Sequence, residues 1–204
     1  MKNIRIAFMG ASGTGKTTLA KWVSDKYGLQ LNPIGSRTVA ADMGLASPYD
    51  ADAAGRRSEM QERLLQSKAA WEAERDAFVT DRTVFDNLAY QSLHAVDSVT
   101  EMQLSKAVHA MRRYTHIIWC PMRAVFSLRD DPARKEGRAY HLMFESVLLG
   151  FFAAYEFEFD TMTATEPEER RMLVRIFTAL PPPECKCGRL VKDHVTPCSS
   201  EGEK

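Results

Sequence analysis

Gly10-Ala11-Ser12-Gly13-Thr14-Gly15-Lys16-Thr17 fills every fixed position of the phosphate-loop pattern G-x-x-x-x-G-K-[ST]. Its flanks constrain the fold further. Ile4 to Met9 is a short apolar run with β-branched and aromatic members that stops at glycine, as a buried strand does. Thr17 to Tyr27 spaces Leu19, Ala20, Val23 and Tyr27 along one helical face and ends at Gly28. A strand, a glycine-rich turn and a helix, in that order, aim successive backbone N–H groups at one point by the positive end of the helix. A phosphate fits there. Lys16 is expected to hold the β- and γ-phosphates and the Thr17 hydroxyl to ligate Mg2+. Gly10, Ser12, Gly13, Thr14, Gly15 and Thr18 are expected to complete the cradle. The chain lacks an Asn-Lys-x-Asp string for reading guanine, which disfavours GTP and leaves ATP as the default expectation.

Downstream, strand and helix signals alternate. Leu29–Ile34, Phe78–Thr80, His116–Cys120 and Phe157–Met162 read as further strands. Thr38–Gly44, one long or two joined helices over Asp52–Phe78, Asp86–His94, Thr100–Arg113, Arg138–Tyr155 and Glu166–Leu180 read as helices. Five strands alternating with helices predict a parallel sheet covered on both faces, a three-layer α/β domain of the P-loop NTPase type. The domain is expected over 1–180. Pro181-Pro182-Pro183 opens a polar tail, 181–204, without apolar periodicity.

Composition excludes several classes. Lys plus Arg and Asp plus Glu both number 27, so nothing marks a strongly basic nucleic-acid surface. No apolar run reaches the roughly 20 residues of a membrane span, and the N-terminus is too soon broken by Gly10 to be a signal peptide. Three of the four cysteines crowd the tail, which is not the spread of a disulfide framework. The chain reads as cytoplasmic, in a host cytoplasm if phage-encoded. Oligomeric state, a homodimer included, is not derivable.

Phe78-Val79-Thr80-Asp81-Arg82 delivers a carboxylate and a guanidinium to the end of a predicted strand, the edge where α/β sheets bind ligands. Asp81 would hold the Mg2+ shell or take the acceptor's proton, and Arg82 would neutralise charge on the transferred group. The structural alternative is an Asp at a helix cap. Asp81-Arg82-Thr83 with Asp86 and Ala89-Tyr90 resembles the aspartate-arginine element of P-loop nucleoside and nucleotide kinases. The likeness extends to nicotinamide riboside kinase-type domains and phage deoxynucleotide kinases. It runs over about residues 3–180 and implies a kinase using ATP and Mg2+.

The resemblance also implies an arginine-bearing lid over 123–141, with Arg129, Arg134 and Arg138 stabilising the transition state beside Lys16, Asp81 and Arg82. Arg37, Asp42, Asp86 and Tyr90 would contact the acceptor. Gln61, Trp71, Phe85 and Tyr90 are candidate base contacts, with ordinary packing as the alternative. Asn32-Pro33 stands where cellular deoxynucleoside kinases carry a glutamate base. That departure shifts the base role to Asp81 or Asp42 and favours a small-molecule (deoxy)nucleoside monophosphate as acceptor. Two other readings stay open: a kinase for a hydroxyl in nucleic acid, such as a 5′ end or a hydroxymethylated base, and a nucleotide-binding regulator with slow ATPase activity. In the tail, Cys185, Cys187, His194 and Cys198 form a candidate structural Zn2+ set, although one residue between the first two cysteines is tight for zinc.

Overall fold

The computed structural model describes residues 3–94, 99–123 and 137–180. Arg129, Arg134, the centre of the expected lid and the four tail ligands lie outside them.

Strand β1 (Arg5–Met9) is the centre of the molecule. It alternates faces, so Ile6 and Phe8 point to one side of the sheet while Ala7 and Met9 point to the other, all fully buried. It is flanked by β3 (Phe78–Asp81) and β4 (His116–Trp119), with β2 (Gln30–Leu31) and β5 (Asp160–Thr161) at the edges. The order is β2-β3-β1-β4-β5, and every pairing is parallel. This is the α/β sheet that the alternating pattern predicts.

Helices α1 (Lys16–Tyr27) and α8 (Pro167–Thr178) cover the face carrying Ile6, Phe8, Val79 and Ile118, packing Leu19, Val23 and Val174 on them. Helices α4 (Arg57–Ala73), α5 (Val84–His94), α6 (Glu101–Met111) and α7 (Arg138–Ala154) cover the other. That layer is largely aromatic: Phe85 sits among Phe151, Phe152, Tyr155 and Phe157, with ring centroids 5.5–6.0 Å apart. Between β2 and α4, α2 (Ser36–Asp42) and the short α3 (Asp50–Ala53) enclose a satellite core of Val39, Met43, Ala51, Met60 and Leu64. Of the one long or two joined helices expected over 52–78, the structure has two, α3 and α4, separated around Gly55, which takes a left-handed φ of 64°.

Both edge strands are shorter than their apolar runs. The Asn32 N–H still donates to the Val79 carbonyl of β3 at 2.9 Å, but Pro33 has no N–H to donate and the chain leaves the sheet there, with the Asn32 side-chain amide donating to Glu72 on α4 at 3.0 Å. Phe157 and Phe159 pack on Phe152 instead of extending β5.

Candidate active site

The phosphate loop spans β1 and α1 at the C-terminal edge of the sheet. Gly10 (φ 125°) must be glycine on two counts, because a Cβ there would also meet the Cys120 carbonyl at 2.5 Å. Gly15 occupies the N-cap of α1 with φ 80°, and no side chain caps the helix or places an acid in its first turn. The first N–H groups are therefore left for an anion.

Lys16 is buried and folds back on its own loop, donating to the Ala11 carbonyl at 2.5 Å and to Thr14 Oγ1 at 3.2 Å. Burial, with the neighbouring Arg82 cation adding to it, pulls the ammonium down to about 8, against the opposing pull of Asp81 and Asp86. A buried cation held mainly by neutral dipoles is poised for phosphate oxygens. From α8, 156 residues away in the chain, Arg170 Nη2 donates to the Thr14 carbonyl at 2.6 Å and braces the loop.

Asp81 ends β3 beside the loop. Its Oδ2 accepts the Thr17 hydroxyl, while Oδ1 is enclosed without a hydrogen-bond partner. Burial would raise its pKa, but Lys16, Arg82, the Thr17 hydroxyl and Lys68 together outweigh it and hold the carboxyl below its ordinary value. An ionised carboxylate with an orphaned oxygen, next to a hydroxyl, is a hard-oxygen donor set that fits Mg2+. Among the described residues no cluster of three acidic, His or Cys side chains adds further protein ligands, so phosphate oxygens and water would complete the shell.

Arg82 has φ 85°, a left-handed backbone that a non-glycine residue adopts at some strain. The turn swings its guanidinium back over the loop: Nη1 donates to the Gly10 carbonyl at 3.2 Å and Nη2 to Ser12 Oγ at 2.9 Å. Its carbon lies 4.9 Å from the Tyr90 ring centre, and Tyr90 stacks at 4.1 Å on Phe144. Burial works against this cation, but Tyr90, Asp86 and Asp81 more than compensate and raise its pKa.

Asp86 is placed differently from the sequence expectation. It is fully buried under the loop, where Oδ1 accepts Gly10 N–H at 3.1 Å and Oδ2 accepts the Thr83 N–H and hydroxyl at 2.8 and 2.7 Å. Thr83 and Asp86 form a reciprocal cap on α5. Asp86 therefore holds the loop and Arg82 and does not line the space beside them.

That space is one cleft of about 690 Å3 running from Ser12, Thr17, Asp81 and Arg82 to the α2–α4 region. Arg37 and Tyr90 line it, whereas Asp42 is exposed elsewhere on α2. Trp71 and Phe85 do not reach it; they pack in the sheet-covering layer. Arg138 is exposed at the start of α7 and is not among the lining residues. The sequence reading omitted Arg57 and Lys68, which add two cations to the lining. A bidentate Asp52 holds the Arg57 guanidinium. The buried Lys68 ammonium bonds Thr80 and lies 3.4 Å from Glu72. It also omitted Glu145 of α7, whose Oε1 accepts the N–H groups of Met122 at 2.8 Å and Ala11 at 3.4 Å. Burial raises its pKa against those two bonds. The Lys68–Glu72 spacing looks like an ordinary surface pair, and only the packing buries it.

A phosphate loop, a strand-end Asp-Arg pair and an adjoining cleft on a parallel sheet define a P-loop nucleotide-binding protein of the kinase-like fold. The chain belongs to the AAA domain family, which matches residues 5–170. No curated protein matches it by sequence. Among solved structures, deoxyadenosine kinase from M. mycoides, with dCMP and dCDP bound, superposes with TM-score 0.59 at 14% identity over 85% of this chain and 97% of that one. Shikimate kinase from Acinetobacter baumannii, in complex with shikimate, gives 0.56 at 13% identity over 86% and 93%. NadR protein in complex with NR gives 0.64 at 13% identity over 87% of this chain and 50% of that one. At these identities the likeness establishes the fold. Among the described residues no helix is long and apolar enough to cross a membrane.

Proposed function

We propose that this protein transfers the γ-phosphoryl group of ATP to a small nucleotide-like acceptor, a (deoxy)nucleoside monophosphate. One observation carries the choice of acceptor. Asp81 is the sole acid lining the cleft among the described residues, and its pKa is held low by the cations around it. A carboxylate that binds protons weakly and is aimed at Thr17 is a poor general base. An acceptor hydroxyl would need such a base. An acceptor phosphate, with its second pKa near 6, already offers an anionic oxygen at neutral pH.

The cations of the lining support the same reading. Arg82 stands where the donor and acceptor phosphates would meet, and Arg37, Arg57 and Lys68 lie along the acceptor part of the cleft. Like-charged reactants approach only where fixed cations screen them. Mg2+, bound through Thr17 and Asp81, would supply charge neutralisation on the ATP phosphates. The chain's own groups do the rest: the loop amides and Lys16 orient the donor, Arg82 bridges the two phosphates, and Asp86 keeps Arg82 and Gly10 in register. The similarity of the fold to kinases of small molecules, deoxyadenosine kinase and shikimate kinase among them, is consistent with phosphoryl transfer to a small molecule.

The test is transfer of γ-labelled phosphate from ATP with Mg2+ to paired acceptors, each monophosphate set against its own nucleoside and against DNA oligonucleotides. Labelled diphosphate from monophosphates, with little product from nucleosides, is the expected result. Label confined to nucleosides or to DNA hydroxyls would overturn the choice of acceptor.

A further inference from the structure

The cleft contains two amide atoms that the fold leaves unused. Gln61 Oε1 on α4 and Asn87 Nδ2 on α5 are both enclosed and without a hydrogen-bond partner. Their residues are 3% and 4% exposed, and both line the cleft. Other amides nearby behave differently. Asn32 is satisfied at both ends, donating to Glu72 at 3.0 Å and accepting from Ile34 N–H at 2.9 Å. Gln91 donates to Gln103 at 3.3 Å, and Gln103 donates to Glu62 at 2.6 Å. Amides with structural roles here find partners, as buried polar groups ordinarily do. Asn32 lines the same cleft with both amide atoms satisfied, so Gln61 Oε1 and Asn87 Nδ2 are the lining amide atoms that the fold leaves without a partner.

Building on the monophosphate reading, we infer that Gln61 and Asn87 form the subsite that reads the acceptor's uncharged heterocycle. The two atoms have opposite polarity. Gln61 Oε1 can only accept, and Asn87 Nδ2 can only donate. The matching ligand therefore presents at least one N–H and one ring nitrogen or carbonyl. A carboxylate has no donor for Gln61, and an ammonium has no acceptor for Asn87. A polyol could satisfy both, but the walls beside them come from Leu31, Ile34, Leu64 and the Tyr49 ring. Apolar and aromatic walls suit the faces of a flat ring and leave hydroxyls without partners. A nucleobase has both the polar edge and the apolar faces. In this arrangement the cations handle the phosphates, and the two amides select the base.

The experiment compares kcat/KM for the best natural monophosphate with that for an analogue whose base keeps its shape but loses its hydrogen-bonding edge, such as a benzimidazole or difluorotoluene nucleotide. The wild type is expected to prefer the natural base by about tenfold or more, because a site built to hydrogen-bond leaves its groups unpaired around the analogue. Gln61→Met and Asn87→Leu should each lower that ratio by about five- to tenfold, with ATP affinity, read by titration, showing that the fold is intact. Asn87→Asp keeps the volume while exchanging the donor for an acceptor. It should give the same loss, which covers a failure of the apolar variants to fold. Transfer that proceeds with a ratio unmoved by these variants overturns this inference alone. ATP binding without transfer to any acceptor would bring down the kinase reading, and this inference with it.

Discussion

Lys16→Met should make the ligand-free protein more stable while destroying nucleotide binding. The Lys16 ammonium is buried, and its pKa falls from 10.5 to about 8. At about 1.4 kcal/mol per pH unit, holding the charged form in the folded state at neutral pH costs on the order of 3 kcal/mol. Methionine fills nearly the same volume without charge. Its loss of the bonds to Ala11 and Thr14 offsets part of the gain, about 1 kcal/mol, and the Ala11 carbonyl keeps the Thr14 hydroxyl as a donor at 3.0 Å. The net gain of about 2 kcal/mol corresponds to a rise in Tm of about 4–8 °C for a domain of this size. Because the folded pKa lies below the unfolded one, the unfolded chain binds the extra proton between the two values, and wild-type stability rises with pH across that window. The gap between variant and wild type should therefore be full below pH 8 and close as the pH passes 10.5. Thermal denaturation without nucleotide, repeated at several pH values, measures this. Excess Mg-ATP should reverse the ranking, since ligand at a hundred times its Kd stabilises only the binder by about 2.7 kcal/mol. A lower Tm for Lys16→Met at neutral pH, or a gap independent of pH, would refute the argument that the loop stores an unfavourable buried charge for phosphate to relieve.

Other residues give sharper separations of role. Asp86→Ala strands the Gly10 and Thr83 N–H groups and removes the acid beside Arg82, so it should lower stability by about 2–4 kcal/mol in a denaturant titration and weaken turnover as well. Asp81→Asn keeps an oxygen for Thr17 but loses the anion. Transfer should fall by about 10²- to 10³-fold, the loss of one electrostatic stabiliser at the phosphates, while the denaturation midpoint stays near that of the wild type. Glu145→Ala removes the acceptor shared by Ala11 and Met122, and chemical denaturation should register a loss of about 1–3 kcal/mol. Glu145→Gln, which retains an acceptor oxygen, should recover most of it.

The fold was largely legible because its central strands announce themselves. Ile4–Met9 and His116–Cys120 are short apolar runs with sharp ends, and both pair in the sheet's centre. The edge strands were not legible in length, since a run such as Phe157–Met162 looks the same whether its aromatics pack on a sheet or on other rings. In the site, the loop and the Asp-Arg pair could be read because each is contiguous and chemically unusual. Asp86 was visible but its setting was not, although the Thr83-x-x-Asp86 spacing carried the signal of a reciprocal cap. Lys68, Glu72, Glu145 and Arg170 lie on helices of ordinary composition. Their roles depend on partners 12 to 156 residues away, and no local pattern encodes such distances.

Whether this cleft passes a phosphoryl group to a monophosphate can be read from ATP consumption measured with and without acceptor. Slow consumption of Mg-ATP alone and a large stimulation by a nucleoside monophosphate are expected, with one diphosphate formed for each ADP released. Consumption at the same rate whatever acceptor is supplied would contradict that transfer and mark the protein as a nucleotide-hydrolysing regulator.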